Sequence, residues 1–127
     1  MPHRFESLQE RLDSCSSWVQ QTFHKLEAFC RKSGGQVMSH DEAKCEGRQF
    51  RVHGSRTTFC RLDPKVQHIG IGFSNDIRHL VANTGRLRKQ KNMAWVTIRP
   101  EDRGADVNGE ITDLIRKANE VVRSRIR

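Results

Sequence analysis

Apolar residues recur from Phe5 to Phe29 at alternating steps of three and four, through Leu8, Leu12, Cys15, Val19, Thr22 and Leu26. That spacing places them on one face of an α-helix, so the segment predicts a long amphipathic helix that needs a surface to cover its stripe. No proline or glycine interrupts residues 3 to 33, and Trp18, Phe23 and Cys30 widen the stripe on one side. Gly34-Gly35 marks the predicted end. Glycine takes the left-handed conformation that closes a last turn, and Arg31 and Lys32 oppose the negative helix end. At about 1.5 Å per residue the helix is ~40 Å long. That exceeds the need of a small domain, so the stripe has two uses open to it: the protein's own sheet, or a second copy in a coiled-coil dimer.

After the glycine pair the period changes from helical to alternating. Gln36 to Ser39 predicts a short strand, Gln49 to His53 turns Phe50 and Val52 inward, and Thr57 to Leu62 does so with Phe59. Gly54-Ser55 predicts the hairpin turn between the last two, and Asp63-Pro64-Lys65 the next turn. Gln67 to Phe73 then places Ile69, Ile71 and Phe73 on one face and Gly70 and Gly72 on the other. Outward glycines mark a close approach to the backbone, read here as a helix of the same domain packed on that face. A short helix follows over Asp76 to Asn83, capped by Ser74 or Asn75 and stopped by Gly85. The basic segment Arg86 to Asn92 is a loop, Met93 to Ile98 a buried strand, and Val107 to Arg125 an amphipathic helix. The prediction is α+β: a long N-terminal helix, an antiparallel meander of about four to five strands, a short helix before the last strand, and a C-terminal helix packed on the sheet. One domain spans residues 1 to 127, with the helix over 1 to 33 and the sheet with two helices over 36 to 127; a chain of 127 residues is too short for two ordinary domains.

Charge is distributed unevenly along this chain. Lys plus Arg against Asp plus Glu is 6 against 6 over residues 1 to 45 and 17 against 9 over residues 46 to 127, so the whole net charge of +8 belongs to the second segment. Such a field attracts phosphate-rich or acidic partners. Arg86, Arg88, Lys89 and Lys91 concentrate it on one loop, and Arg48, Arg51, Arg56 and Arg61 extend it over the strands. Alternation sets Arg51 and Arg61 opposite the core. Phe50, Phe59, Phe73 and Trp95 all read as buried, which removes the aromatic platform of single-strand readers and leaves contact with the phosphate backbone.

Catalytic and metal-binding patterns are sparse. Cys15, Cys30, Cys45 and Cys60 recur every 15 residues without the close pairs of a zinc site, and read as small buried hydrophobes in a reducing compartment. Asp41-Glu42-Ala43-Lys44 contains the acid-x-Lys element of metal-dependent nucleases, but in a polar stretch with no converging acid it reads as a solvated loop. The six histidines are scattered singly, and Gly70-Ile71-Gly72 lacks the third glycine and the ribose-binding acid of a dinucleotide fingerprint. No cofactor, metal site or catalytic residue is expected.

The run through Gly47-Arg-Gln-Phe50, Phe59-Cys-Arg-Leu62, His68-Ile-Gly-Ile-Gly-Phe73, Asn83-Thr-Gly85, Ala94-Trp-Val-Thr-Ile98 and Leu114-Ile-Arg-Lys-Ala118 resembles a bacterial family of small uncharacterised domains labelled "predicted transport proteins". The resemblance covers roughly residues 45 to 122 and rests on strand order and apolar spacing. Family members are often joined to nuclease-like domains, which implies a setting in DNA metabolism or defence and supplies no catalytic residues. The basic loop before the last strand is longer and richer in Arg and Lys here than in that family. With no apolar run near the ~20 residues of a membrane span, and no signal-peptide stretch at the N-terminus, the expected location is the cytoplasm. The expectation is a non-enzymatic basic module that contacts nucleic acid through a positive sheet face and loop. The rival is a protein-interaction or inhibitory module for an acidic protein surface, with a homodimer through the N-terminal helix.

Overall fold

The N-terminal stripe folds as two helices, where its spacing predicts one. The structure, a computed structural model, describes residues 7–37, 47–85, 87–101 and 109–125. Helix α1 is Leu8–Asp13 and α2 is Ser17–Lys32. Serines make the break between them. The Ser14 hydroxyl donates to the Arg11 carbonyl at 2.7 Å, and the Ser16 hydroxyl accepts from the Val19 amide at 3.2 Å as the N-cap of α2. Hydroxyls that bond the local backbone compete with helical continuation, and here they win over the stripe. Both helices still turn it inward: Leu8, Leu12, Val19, Phe23, Leu26 and Cys30 are buried in the protein's own core. Of the two uses open to the stripe, these residues take the protein's own sheet, while Trp18 and Phe29 stay partly buried. The end of α2 is as predicted, with Gly34 at φ +96° and its amide bonded to the Arg31 carbonyl at 3.0 Å.

Strands β1 (Gly35–Val37), β2 (Arg48–Val52), β3 (Thr58–Pro64), β4 (Ile69–Phe73) and β5 (Ala94–Ile98) pair antiparallel in chain order. A 3₁₀ turn at Asn75–Ile77, capped by Ser74, leads into α3 (Arg78–Ala82) ahead of β5. Helix α4 (Glu110–Arg125) follows β5. The architecture is thus α+β, an antiparallel sheet with helices at both ends.

Period-2 alternation decides what each face carries. Phe50, Leu62, Ile71, Phe73, Val96 and Ile98 share the face covered by α2 and α4 and are fully buried. A bulge between Phe50 and Arg51 leaves Phe59 unopposed, so consecutive residues Phe59 and Cys60 both enter the core. The glycines of β4 face the other way, as predicted, but no described helix packs over them. Trp95 occupies that place: a Cβ on Gly72 would stand 3.0 Å from its indole and 3.1 Å from Met93 Sδ. Glycine is needed because the ring lies directly on the backbone. Among the described residues, no helix is long and apolar enough to cross a membrane.

Candidate nucleic-acid interface

The eight cations singled out in the sequence divide by whether a carboxylate already holds them. Arg48 is a correction to the expected basic face. It shares the parity of Phe50, opposes Leu62, and so points toward α2, where Glu27 pairs with it. Arg61 does lie on the outer face, yet its Nε donates to Asp63 at 2.7 Å and its side chain is only 12% exposed. The middle of that face is closely packed, with Trp95 buried between the strand and its neighbours, and does not form an open positive platform.

Arg51, Arg56, Arg88, Lys89 and Lys91 differ from those two: none has a carboxylate partner among the described residues. Arg51 opposes Thr58 on the outer face, half-buried, with its Nε hidden and unbonded. Arg56 is exposed in the β2–β3 turn, which closes through Val52 N to the Thr57 carbonyl at 3.0 Å and uses Gly54 at φ +79°. Arg88, Lys89 and Lys91 are exposed on the loop before β5. Arg86 lies outside the described residues.

That loop is held from below by two side chains that composition alone did not single out. Asn75 Nδ2 donates to the carbonyls of Lys91 at 2.9 Å and Asn92 at 3.2 Å. Arg78 donates to Asn75 Oδ1 at 2.8 Å and to the carbonyls of Gln90 at 2.6 Å and Met93 at 3.3 Å. The Arg88 amide also bonds the Trp95 carbonyl at 2.8 Å, laying the loop along the free edge of β5. With its carbonyls engaged underneath, the loop displays its basic side chains outward. Because Phe73 pairs with both Cys60 and Ala94, the β2–β3 turn and the basic loop flank the same end of the sheet. Strand spacing puts them ~10–15 Å apart.

A further cationic group sits at the opposite end of β4 and β5. Burial first, then the charges of Arg99, Lys65 and Arg88, holds His68 below its ordinary pKa of 6.5. Neither His68 nor Arg99 was expected at a site; they become visible only when the Ile69–Ile98 pairing brings them side by side.

The described thiols behave as core, and Cys45 lies outside the described residues. Cys15, Cys30 and Cys60 are free and buried. Burial, followed by a hydrogen bond with Cys60, pushes the Cys30 thiol well up, so it stays protonated. No cluster of three potential metal ligands occurs among the described residues, and the acid-x-Lys motif at 41 to 44 lies outside them.

No family model, curated protein or solved structure matches this chain. The functional reading therefore comes from the chemistry of the basic loop and turn.

Proposed function

We propose that the protein is a non-enzymatic binding module that contacts the phosphate backbone of nucleic acid with Arg88, Lys89 and Lys91, helped by Arg56 and Arg51. One observation carries this reading: among the described residues these cations stand without carboxylate partners on a braced loop, an adjoining turn and the strand that leads into it, while Arg48, Arg61, Arg116, Lys117 and Arg125 are paired within the chain. Unpaired cations held in place are what phosphate contact requires, since each one engaged releases condensed counterions. Trp95 is 7% exposed, so it offers no base-stacking platform beside the basic loop, and recognition there goes through backbone and shape. Buried free thiols accord with a reducing compartment, and the cytoplasm is the proposed location.

Fluorescence anisotropy with duplex and single-stranded DNA and RNA, at two or more salt concentrations, tests the proposal. Binding to duplex should weaken with salt, and Lys89→Ala with Lys91→Ala should lower the log–log slope by about 1.8. Absence of salt-sensitive binding at micromolar protein sinks the reading. Binding restricted to acidic proteins moves it to an acidic protein partner.

A further inference from the structure

The break between α1 and α2 leaves a cavity of about 430 Å³ against the β3–β4 turn. Its apolar walls come from Cys15, Pro64 and Val66. Val66 is 60% exposed, the one large hydrophobic side chain left exposed among the described residues. Local hydrogen bonds fix these walls: the Ser16 amide donates to the Val66 carbonyl at 2.7 Å, Arg11 Nε to the Pro64 carbonyl at 3.1 Å, and the Lys65 amide to the His68 carbonyl at 2.8 Å. These backbone groups are used inside the protein, which leaves the cavity surface around Cys15, Pro64 and Val66 mainly apolar. Arg11, Lys65 and His68 line it as well, and among the described residues no carboxylate does. Gln67 and His68 also border a second cavity of about 310 Å³ that adds Arg99 and Trp18, with Glu101 among its lining residues.

We propose that the cavity at the helix break binds a small organic acid with an apolar body, of the class of a medium-chain fatty acid anion. The chain lies against Cys15, Pro64 and Val66, and the carboxylate meets the positive charge of Lys65. Size favours a small molecule, because cavities of roughly 300–1,000 Å³ are those that enclose small ligands. A protein partner needs a contiguous apolar patch of some hundreds of Å². Val66 alone does not make one. Charge favours an anion over an apolar cation or a neutral lipid, since the charged side chains among the described lining residues are all cationic, beside the neutral polar Ser14 and Gln67. The site is separate from the basic loop, and variants at it leave Arg88, Lys89 and Lys91 in place.

Isothermal titration of the full chain with decanoate, decylammonium, and acetyl-Leu-Leu bearing a free carboxylate tests this assignment. Decanoate should saturate one site with a Kd of about 1 mM or tighter, as expected for a dozen heavy atoms in an apolar pocket. Decylammonium should bind at least about tenfold more weakly, and Lys65→Glu should weaken decanoate severalfold. Cys15→Phe, which fills the cavity, and Val66→Asp, which places a like charge at its mouth, should each cost decanoate about tenfold or more. Should Cys15→Phe fail to fold, Val66→Asp carries the test, because it alters an exposed side chain. No saturation by ~10 mM decanoate, equal binding of decylammonium, or unchanged binding in Val66→Asp overturns the assignment. Tighter binding of the dipeptide than of decanoate overturns it in favour of a peptide partner.

Discussion

Arg78 separates a residue that positions a basic loop from one that touches the ligand, and Arg78→Ala is the perturbation that distinguishes them. Its guanidinium makes three hydrogen bonds, at 2.6, 2.8 and 3.3 Å, of which the first two are exposed and the third, to the Met93 carbonyl, is partly buried. Bonds from a charged donor are worth ~1.5–3 kcal/mol when shielded, and solvent reduces the exposed ones to ~0.5 kcal/mol each. The partly buried bond adds about 1 kcal/mol. Urea denaturation should therefore show a loss of ~2 kcal/mol, and hydrogen exchange at the amides of residues 89 to 92 should quicken by about tenfold or more. The binding titration supplies the diagnostic. Loosening the loop raises the ordering cost of binding without removing a phosphate contact, so affinity should fall while the salt slope holds. A slope reduced by about 0.9 with stability unchanged means that Arg78 contacts phosphate directly, and refutes the bracing role.

Gly72→Ala should destabilise by about 1–3 kcal/mol, because the new Cβ meets Trp95 and Met93 Sδ at 3.0 and 3.1 Å. A neutral result in urea denaturation with unchanged tryptophan emission means that the indole does not lie on the strand. Glu27→Leu takes the Glu27 carboxylate away from the half-buried Arg48 and should cost ~2–4 kcal/mol in the same assay, with much of the loss recovered by adding Arg48→Met. If the double variant is no more stable than the single, the pair is not the cause. His68 titrates lower in the folded chain than its ordinary 6.5, so below that pH the unfolded chain takes a proton that the folded chain does not. Stability is then lost as pH falls from about 6.5, and His68→Gln should flatten that stretch of the urea midpoint against pH. An unchanged curve removes His68 as its source.

Much of this fold can be read from local chemistry, and the departures have local causes. Alternation and turn residues locate the strands because each face of the sheet has a separate fate. The helix break escaped because the three-and-four stepping of the stripe runs through residues 14 to 16 without a change of phase. Its signal was the serine cluster Ser14, Ser16 and Ser17, which helices use at their ends. Arg48 was misplaced although β2 held the answer, since a residue two before Phe50 shares its face. Trp95 shows the opposite limit. Its strand is apolar but for Thr97, so the outward side of the ring shows only when Gly70 and Gly72 are seen to offer a flat surface in the neighbouring strand. Arg78 and Asn75 have no motif at all. Their role depends on a loop returning over a helix end, a contact across 12 to 17 residues that side-chain type does not encode.

The charge asymmetry of the chain also changes meaning in three dimensions. Glu27 belongs to the neutral first segment yet neutralises Arg48 of the basic second one, so the boundary in sequence is not a boundary in space. Asp63, Asp76 and Asp113 neutralise Arg61, Arg125 and the Arg116–Lys117 pair in the same way. Paired cations release no condensed counterions unless their own bridge breaks, and breaking it offsets most of the gain. The number of phosphates that the proposed face can neutralise is therefore set by Arg51, Arg56, Arg88, Lys89 and Lys91, not by the net charge. At ~0.9 per contact their combined salt slope on duplex DNA reaches at most about 4.5. A steeper slope requires either a second copy on the same duplex or cations beyond these five, and analytical ultracentrifugation of the complex tells the two apart.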